Sequence, residues 1–217
     1  MIAALMAGYP VALTLAGVSL AFAVIGDLTG AIEGTIAMRR GRSASCGALD
    51  PPSALVYIEQ VQVGRPLPFD TKPSSVGGVV AKRGCALVPT LQIVTPQPAA
   101  IAIHGDRDST RLRVTSPGNQ RAFAMLEEGG RVTLALVPGI TRVEADDGSL
   151  AAAWIVATDA PYYALTDERG RYRLDELAPG TYRVTIVQAP DRGEAPIVVH
   201  RTVTVTATRT ARLDVVH

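Results

Sequence analysis

The sequence predicts an all-β body preceded by one apolar helix, and three observations support this fold class. Short runs of β-branched and apolar residues recur after Asp27 at a spacing of roughly 8–12 residues. Glycine and proline, which make up 20 and 15 of the 217 residues, separate these runs. No apolar stripe with helical periodicity extends beyond two turns after Gly26. Together these features are typical of a β-sandwich or a β-barrel.

The apolar helix is predicted over Met1–Gly26, which contains no charged residue. As a helix it would be roughly 39 Å long at ~1.5 Å per residue, enough to cross a hydrocarbon core of about 30 Å. We expect residues 1–27 to be a transmembrane anchor or a secretory signal with a cleavage site at Ala21-Phe22-Ala23. A buried soluble helix is the alternative. Three basic residues follow and favour a cytoplasmic body, against export: Arg39, Arg40 and Arg42.

Two strands are predicted directly after this segment. The first extends from Ile32 to Met38, and the second is "ALVYIEQVQV" at Ala54–Val63, which is rich in residues that favour strands. The pair Gly77-Gly78 and three prolines then predict a loop: Pro66, Pro68 and Pro73.

Eight short strands are predicted next, each bounded by turn-forming residues. They are Val79–Lys82, Leu91–Thr95, Ala100–His104, Arg111–Thr115, Arg121–Leu126, Arg131–Val137, Thr141–Ala145 and Trp154–Thr158. Met125 alternates with Phe123 and is expected to face the core. Three arginines interleave with Asp106 and Asp108 and predict a mixed charged edge that discourages strand pairing, with a contact surface as the alternative: Arg107, Arg111 and Arg113.

The last third predicts a hairpin and two closing strands. In "YYALTDERGRYRLDELAPGTYRVTIV" four apolar residues alternate with polar neighbours and are expected to face inward: Tyr163, Leu165, Tyr172 and Leu174. Asp167–Gly170 predicts the turn, with Gly170 in a left-handed conformation. Pro179-Gly180 predicts a type II turn with a left-handed Gly180. The closing strands are predicted at Ile197–Thr206 and Thr210–Val216.

The same segment resembles a known module. "TDERGRYRLDELAPGTYRVTIV" is similar to the carboxypeptidase regulatory-like, prealbumin-type β-sandwich, and "AIEGTIAMRRG" resembles the first strand of that module. The intervening "ALVYIEQVQVG", "RGCALVPTLQIV", "DRDSTRLRV" and "AWIVATD" resemble bacterial envelope proteins with an inserted plastocyanin-like domain, often labelled methylamine-utilisation proteins. The resemblance implies a prealbumin-like sandwich at residues 30–65 and 160–217. It also implies a cupredoxin-like sandwich at residues 76–159.

The resemblance further implies that a copper site has been lost. In copper-binding relatives the segment before "AWIV" resembles V-x-C-x-x-H-x-x-M, a soft sulfur and nitrogen ligand set that selects copper. This sequence has Ala145, Gly148 and Ala151 at those positions, and Leu112 where a neighbouring strand would supply a second histidine. The three histidines are scattered and are expected to be surface or satisfied polar residues: His104, His200 and His217. We therefore expect no metal and no cofactor.

Two cysteines, Cys46 and Cys85, are candidates for a disulfide in an oxidising compartment, whereas in the cytosol they would be plain thiols. Neither belongs to a CxxC motif or a histidine-bearing cluster, which argues against zinc.

Asp146 and Asp147 could bind a hard cation but are expected to be solvated turn carboxylates.

No catalytic motif is present: the sequence lacks G-x-S-x-G, H-E-x-x-H and a Gly-rich phosphate loop. The net charge of +1 provides no field that would recruit nucleic acid. We expect a non-catalytic, membrane-anchored envelope protein with its body in the periplasm or extracytoplasmic space. It would act as a structural or interaction subunit, such as an accessory subunit of a membrane complex, with other membrane or envelope proteins as partners. The alternatives are a copper-binding electron-transfer or carrier protein with an atypical site, and a carbohydrate-binding module.

Overall fold

A computed structural model of the protein describes residues 29–37, 54–64, 78–95, 99–190 and 195–216. The first strands are β1 (Gly30–Thr35), β2 (Ala54–Gly64), β3 (Gly78–Arg83), β4 (Ala86–Val88), β5 (Leu91–Val94), β6 (Ala99–His104), β7 (Thr110–Ser116) and β8 (Gln120–Leu126). They are followed by β9 (Arg131–Leu136), β10 (Gly139–Ala145), β11 (Ala153–Ala157), β12 (Tyr163–Leu165), β13 (Arg171–Leu177), β14 (Gly180–Gln188), β15 (Ile197–Val205) and β16 (Thr210–Arg212). A single 3-10 turn at Pro117–Asn119 is the only helical element in the described ranges.

The strands form two pairs of sheets, each pair enclosing its own apolar core. Strands from the two ends of the chain build the sheets β13-β1-β16 and β12-β2-β14-β15, which we call the terminal sandwich. The strands between them build the sheets β4-β3-β6-β9 and β5-β11-β10-β7-β8, which we call the inserted sandwich. Each core forms because alternate residues of a strand point to the same face of its sheet.

The two sandwiches pack on each other through a third apolar cluster. Outward-facing residues of β2 and β14 meet outward-facing residues of β5 and β11, which places the β5–β11 part of one face of the five-stranded sheet against the terminal sandwich. The buried members of this cluster are Leu55, Tyr57, Leu91, Ile93, Trp154, Val156, Ala160 and Val187. Burial raises the pKa of Tyr57 to about 12, with a further contribution from the nearby Glu59 carboxylate.

The all-β class is confirmed, and every predicted strand overlaps an observed one. Strand β4 was not predicted, because three residues between Cys85 and Pro89 are too few to show an alternation. The end of the first predicted strand, at Met38, and the helix predicted at Met1–Gly26 lie outside the described residues. In the part of the chain that is described, no helix is long and apolar enough to cross a membrane.

The predicted hairpin is wrong. Strand β12 pairs with β2 and strand β13 pairs with β1, so this segment crosses from one sheet of the terminal sandwich to the other. Tyr172 and Leu174 are buried as predicted, but Tyr163 is only half-buried and Leu165 is 48% exposed. Local alternation cannot show that the chain changes sheets between two strands.

The two predicted turn glycines behave differently. Gly170 is left-handed (φ 76°), and its N–H donates to the Asp167 carbonyl at 2.8 Å, as predicted. Gly180 is not left-handed: it begins β14 and pairs with Gly64 and Val205 in neighbouring strands. The left-handed residue near this turn is Glu176, with φ of 60°, so the predicted type II turn is wrong.

Candidate functional site

The candidate site is the end of the inserted sandwich that holds the four positions at which the resemblance predicts former copper ligands. Leu112 on β7 and Ala145 on β10 are direct cross-strand partners. Both are fully buried and belong to the same apolar core. Leu112 faces inward because its neighbours Arg111 and Arg113 take the outward positions of the strand.

The other two positions lie on the loop that joins β10 to β11. Gly148 is left-handed (φ 73°), and its N–H donates to the Ala145 carbonyl at 3.0 Å, which closes a tight turn. Ala151 donates its N–H to the Cys85 carbonyl at 2.9 Å and accepts from the Leu87 N–H at 3.2 Å. Backbone hydrogen bonds therefore hold this loop to the strand that precedes β5.

These four positions do not fit copper, because a methyl, an isobutyl group and a hydrogen offer no lone pair to a metal. Among the residues that the structure describes, no group of three or more His, Cys, Asp and Glu could hold a metal ion. His104 is exposed at the end of β6. His200 lies on the terminal sandwich, where its Nδ1 is 2.9 Å from the Thr185 hydroxyl. His217 and Cys46 lie outside the described residues, so the pairing of Cys46 with Cys85 stays a prediction.

A shallow polar depression lies at the same end, beside the turn after β10. Its most buried charge is Lys82, whose side chain is 5% exposed and whose Nζ lies 2.9 Å from Asp106 Oδ1. The same Nζ donates to the Asp108 carbonyl at 2.9 Å. The hydrogen bond from Lys82 lowers the pKa of Asp106. A carboxyl group whose pKa is lowered in the folded state stabilises the fold at pH values above its ordinary pKa. The contribution of Asp106 to the free energy of unfolding is therefore lost as the pH falls through its lowered pKa.

The carboxylates of the turn have partners as well. Asp146 lies 3.5 Å from Arg111 Nε and 3.7 Å from Arg113 Nη1. Asp147 accepts the Ser149 N–H at 2.9 Å, and hydrogen bonding to Ser149 lowers the pKa of the Asp147 carboxyl. The carboxylates of Asp106, Asp146 and Asp147 at this depression therefore already have partners.

A network of charges crosses the outer face of the five-stranded sheet. At its centre is Glu144 of β10, which is 6% exposed and binds Arg113 of β7 through an Nη2–Oε1 contact of 2.9 Å. Arg142 of β10 also binds Glu144. The Arg142 guanidinium lies 5.3 Å from the centre of the Trp154 ring on β11, within the range of a cation–π interaction. The network thus links three neighbouring strands to the apolar contact between the sandwiches.

The outer face ends at β8, the edge strand, and here two predictions are wrong. Met125 and its neighbour Phe123 are 52% and 51% exposed, because Leu126 and the alanines of β8 take the inward positions. Arg111 and Arg113 do not form an edge, since β7 lies between β10 and β8. Arg111 instead lies 4.6 Å above the Phe123 ring. The middle of this edge strand is therefore apolar and aromatic on its outer face.

Two important residues were missed by the sequence analysis. Lys82 occupies the inward phase of the alternation Gly78, Val80, Lys82, which could have marked it as a buried charge in need of a partner. Glu144 gave no such signal, because its burial depends on arginines of other strands.

No protein-family model matches the sequence, and no curated protein matches it. Among solved structures, the reduced state of an amicyanin mutant is similar to this chain at 7% identity and a TM-score of 0.32. The match covers 47% of this chain and 97% of the amicyanin chain.

Proposed function

We propose that the protein is a non-catalytic interaction subunit of the cell envelope, in which a cupredoxin-like domain has lost its metal site. In this proposal residues 30–65 and 160–217 form a prealbumin-like domain, and residues 76–159 form the inserted cupredoxin-like domain. Residues 1–27 anchor the chain or direct its export. Other membrane or envelope proteins are the partners, and no cofactor is used.

The observation that carries the proposal is the pairing of Leu112 with Ala145. At these two positions a copper-binding relative would be expected to carry metal ligands. Here the two residues are cross-strand partners in one apolar core. A buried leucine contributes about 1.5–3 kcal/mol through burial, so this end of the sandwich now serves stability. The other two expected ligand positions, Gly148 and Ala151 after β10, carry side chains that cannot ligate a metal.

The outer face of the same sheet supports an interaction role. The arginines and acids near its middle neutralise one another, which leaves the exposed apolar side chains of Phe123 and Met125 beside them. Exposed aromatic and methionine side chains next to arginine are enriched at protein interfaces. A carbohydrate-binding role has less support, because the single tryptophan, Trp154, is 6% exposed and cannot serve as a sugar platform.

Metal titration tests the loss of the copper site. The purified full chain should bind Cu(II) and Cu(I) only weakly and should show no intense thiolate-to-copper absorption. A variant carrying Leu112→His, Ala145→Cys, Gly148→His and Ala151→Met should gain copper affinity and absorb strongly. The matched control carries the same changes without Ala145→Cys and should lack that absorption. A tight, stoichiometric copper site in the unchanged protein would overturn the proposal and favour electron transfer or copper carriage.

The proposed location has a separate test. Protease added to intact spheroplasts should digest the body if it lies outside the cytoplasm. Digestion only after lysis would instead place the body in the cytoplasm, as the arginines at positions 39, 40 and 42 favour.

A further inference from the structure

Strand β8 is an exposed edge on both of its faces. Of its seven residues only Leu126 is buried, and even the inward-facing Ala122 is exposed. The strand pairs with β7 on one side and has no strand on its other side among those described. One row of its backbone N–H and C=O groups is therefore free to pair with another strand.

Apart from the charge of Arg121, this edge lacks the features with which proteins usually discourage pairing. The sequence "QRAFAML" contains no proline and no lysine, and its register with β7 is continuous from Gln120 to Leu126 without a bulge. The other edge of the same sheet, β5, is four residues long, and its outward residues Leu91 and Ile93 are buried beneath the terminal sandwich. Of the two edges of this sheet, β8 is the accessible one.

The charges at the ends of β8 indicate its partner. Arg121, at the start of β8, shares the outward face with Phe123 and Met125. Glu127, just after the end of β8, continues the same alternation, and its Oε2 accepts a hydrogen bond from the Ser109 hydroxyl at 3.2 Å. Neither Arg121 nor Glu127 forms an ion pair within the part of the chain that the structure describes, whereas the neighbouring Arg113 and Glu144 are paired. Along the face the side chains are a positive charge, an aromatic ring, a thioether and a negative charge. When two copies of β8 run antiparallel, the positive end of one therefore faces the negative end of the other.

We propose that a second copy of this chain pairs with β8 in an antiparallel arrangement centred on Ala124. Around that centre, Arg121 of each copy faces Glu127 of the other, and Phe123 faces Met125. Each of these contacts occurs twice because a two-fold interface repeats every contact. Opposite charges and aromatic pairs directly across strands stabilise a sheet. This inference rests on the proposed interaction role and specifies one of its interfaces.

The centre of the pairing has room for close approach. Ala124 would face Ala124 of the second copy with Cα atoms about 4.5–5.5 Å apart, whichever hydrogen-bonding position it occupies. Small side chains there leave the strands free to reach normal sheet spacing. The five-stranded sheet would thereby continue into the second copy as a single larger sheet.

Site-directed crosslinking tests this register in the full chain. The Ala124→Cys variant should form a disulfide-linked dimer under mild oxidation, since its separation lies within the range that a disulfide can bridge. The Ala122→Cys variant is the matched control, because it lies on the same strand and the same face. In the proposed register the two copies of residue 122 would lie about 14 Å apart, because four residues at ~3.4 Å each separate them along the strand. The Ala122→Cys variant should therefore not crosslink. Equal crosslinking of the two variants, or none, would overturn the proposed register.

Charge reversal tests the pairing independently of cysteine chemistry. Sedimentation velocity over a concentration series should show a dimer for the unchanged chain. Arg121→Glu alone and Glu127→Arg alone should each weaken it by about tenfold or more, because two attractive pairs become repulsive. The double variant should recover the dimer. Arg169→Glu, in an exposed turn of the terminal sandwich, is the matched control and should leave the dimer unchanged.

The outcomes separate this inference from the proposed function. A chain that is monomeric at all concentrations, yet binds no copper, would refute the β8 dimer and leave the interaction role to another partner. A tight copper site would refute the proposed function whatever the oligomeric state. Circular dichroism of each variant shows whether the fold is retained, so a lost dimer is not confused with a lost fold.

Discussion

The outer face of the five-stranded sheet has two halves that differ in burial. In both halves alternate residues of each strand point outward, but one half is covered and the other is exposed. In the covered half, on β5 and β11, the outward residues are Leu91, Ile93, Trp154 and Val156, all buried beneath the terminal sandwich. In the open half, on β7 and β8, they are Arg111, Arg113, Phe123 and Met125, with Phe123 and Met125 about half exposed. Strand alternation decides which residues share a face, but the neighbouring element decides whether that face becomes a core.

Strand β10 marks the boundary between these halves. Arg142 lies over Trp154 of the covered half, while Glu144 on the same strand binds Arg113 of the open half. The ionic network therefore borders the apolar contact. Each half can be perturbed by itself, which makes the comparison testable.

The largest effect is expected from Trp154→Ala in the covered half. This change removes a buried ring from the contact between the sandwiches and leaves Arg142 without its aromatic partner. We expect a loss of about 3–5 kcal/mol in the free energy of unfolding, measured by urea denaturation of the full chain.

Phe123→Ala is the matched control in the open half. Its ring is 51% exposed, so its removal should change the free energy of unfolding by less than about 1 kcal/mol. Equal losses for the two variants would mean that the open half is also covered and that the two halves do not differ in burial.

The second-largest loss in the free energy of unfolding is expected from Glu144→Gln on β10. The change removes the negative charge that lies between Arg113 and Arg142, and the Arg142 Nε already has no hydrogen-bond partner in the structure. Since the carboxylate is 6% exposed, we expect a loss of about 2–4 kcal/mol in the same unfolding experiment.

Asp146→Asn is the control for this change. Its ion pairs, at 3.5 and 3.7 Å, are longer and more exposed, and its loss should be below about 1 kcal/mol. If Asp146→Asn proved as destabilising as Glu144→Gln, burial would not be the property that strengthens the central pair.

The positions of the strands could be predicted from the sequence because they depend on local features. Period-two alternation and turn residues define the limits of strands such as β2 and β10, and the left-handed Gly170 follows from its turn. Strand partners could not be predicted in the same way. The segment before and after Asp167 resembles a hairpin locally, yet its two strands join different sheets, because distant strands compete for them.

The candidate site shows the same limit. In "AFAML" apolar residues occupy both phases of the alternation, so the sequence alone cannot show that Met125 points outward. The burial of Glu144 depends on Arg113, 31 residues earlier in the chain. Lys82 was the exception: its inward phase was visible in the sequence, and only its partner Asp106 required the structure.

The smallest expected effects are the coupling free energies of the two cation–π contacts, one on each side of β10. Double-mutant cycles with Arg→Met and aromatic→Leu changes measure the coupling in Arg142–Trp154 and in Arg111–Phe123, because the cycle isolates the pairwise contribution. The methionine keeps the packing of the arginine stem. Distance alone favours the second pair, at 4.6 Å against 5.3 Å. Desolvation favours the first, because its ring is 6% exposed whereas Phe123 is 51% exposed.

We expect desolvation to be the stronger influence, with a coupling of about 1–2 kcal/mol for Arg142–Trp154 and about 0.5 kcal/mol for Arg111–Phe123. Urea denaturation of the six variants, four single and two double, and of the unchanged chain provides both values. A larger coupling in the open pair would show that proximity outweighs burial at this sheet face. If dimerisation through β8 covers Phe123, the coupling in Arg111–Phe123 should rise with protein concentration, whereas that in Arg142–Trp154 should not. The Phe123 ring would then lose part of its exposure to the Met125 side chain of the second copy.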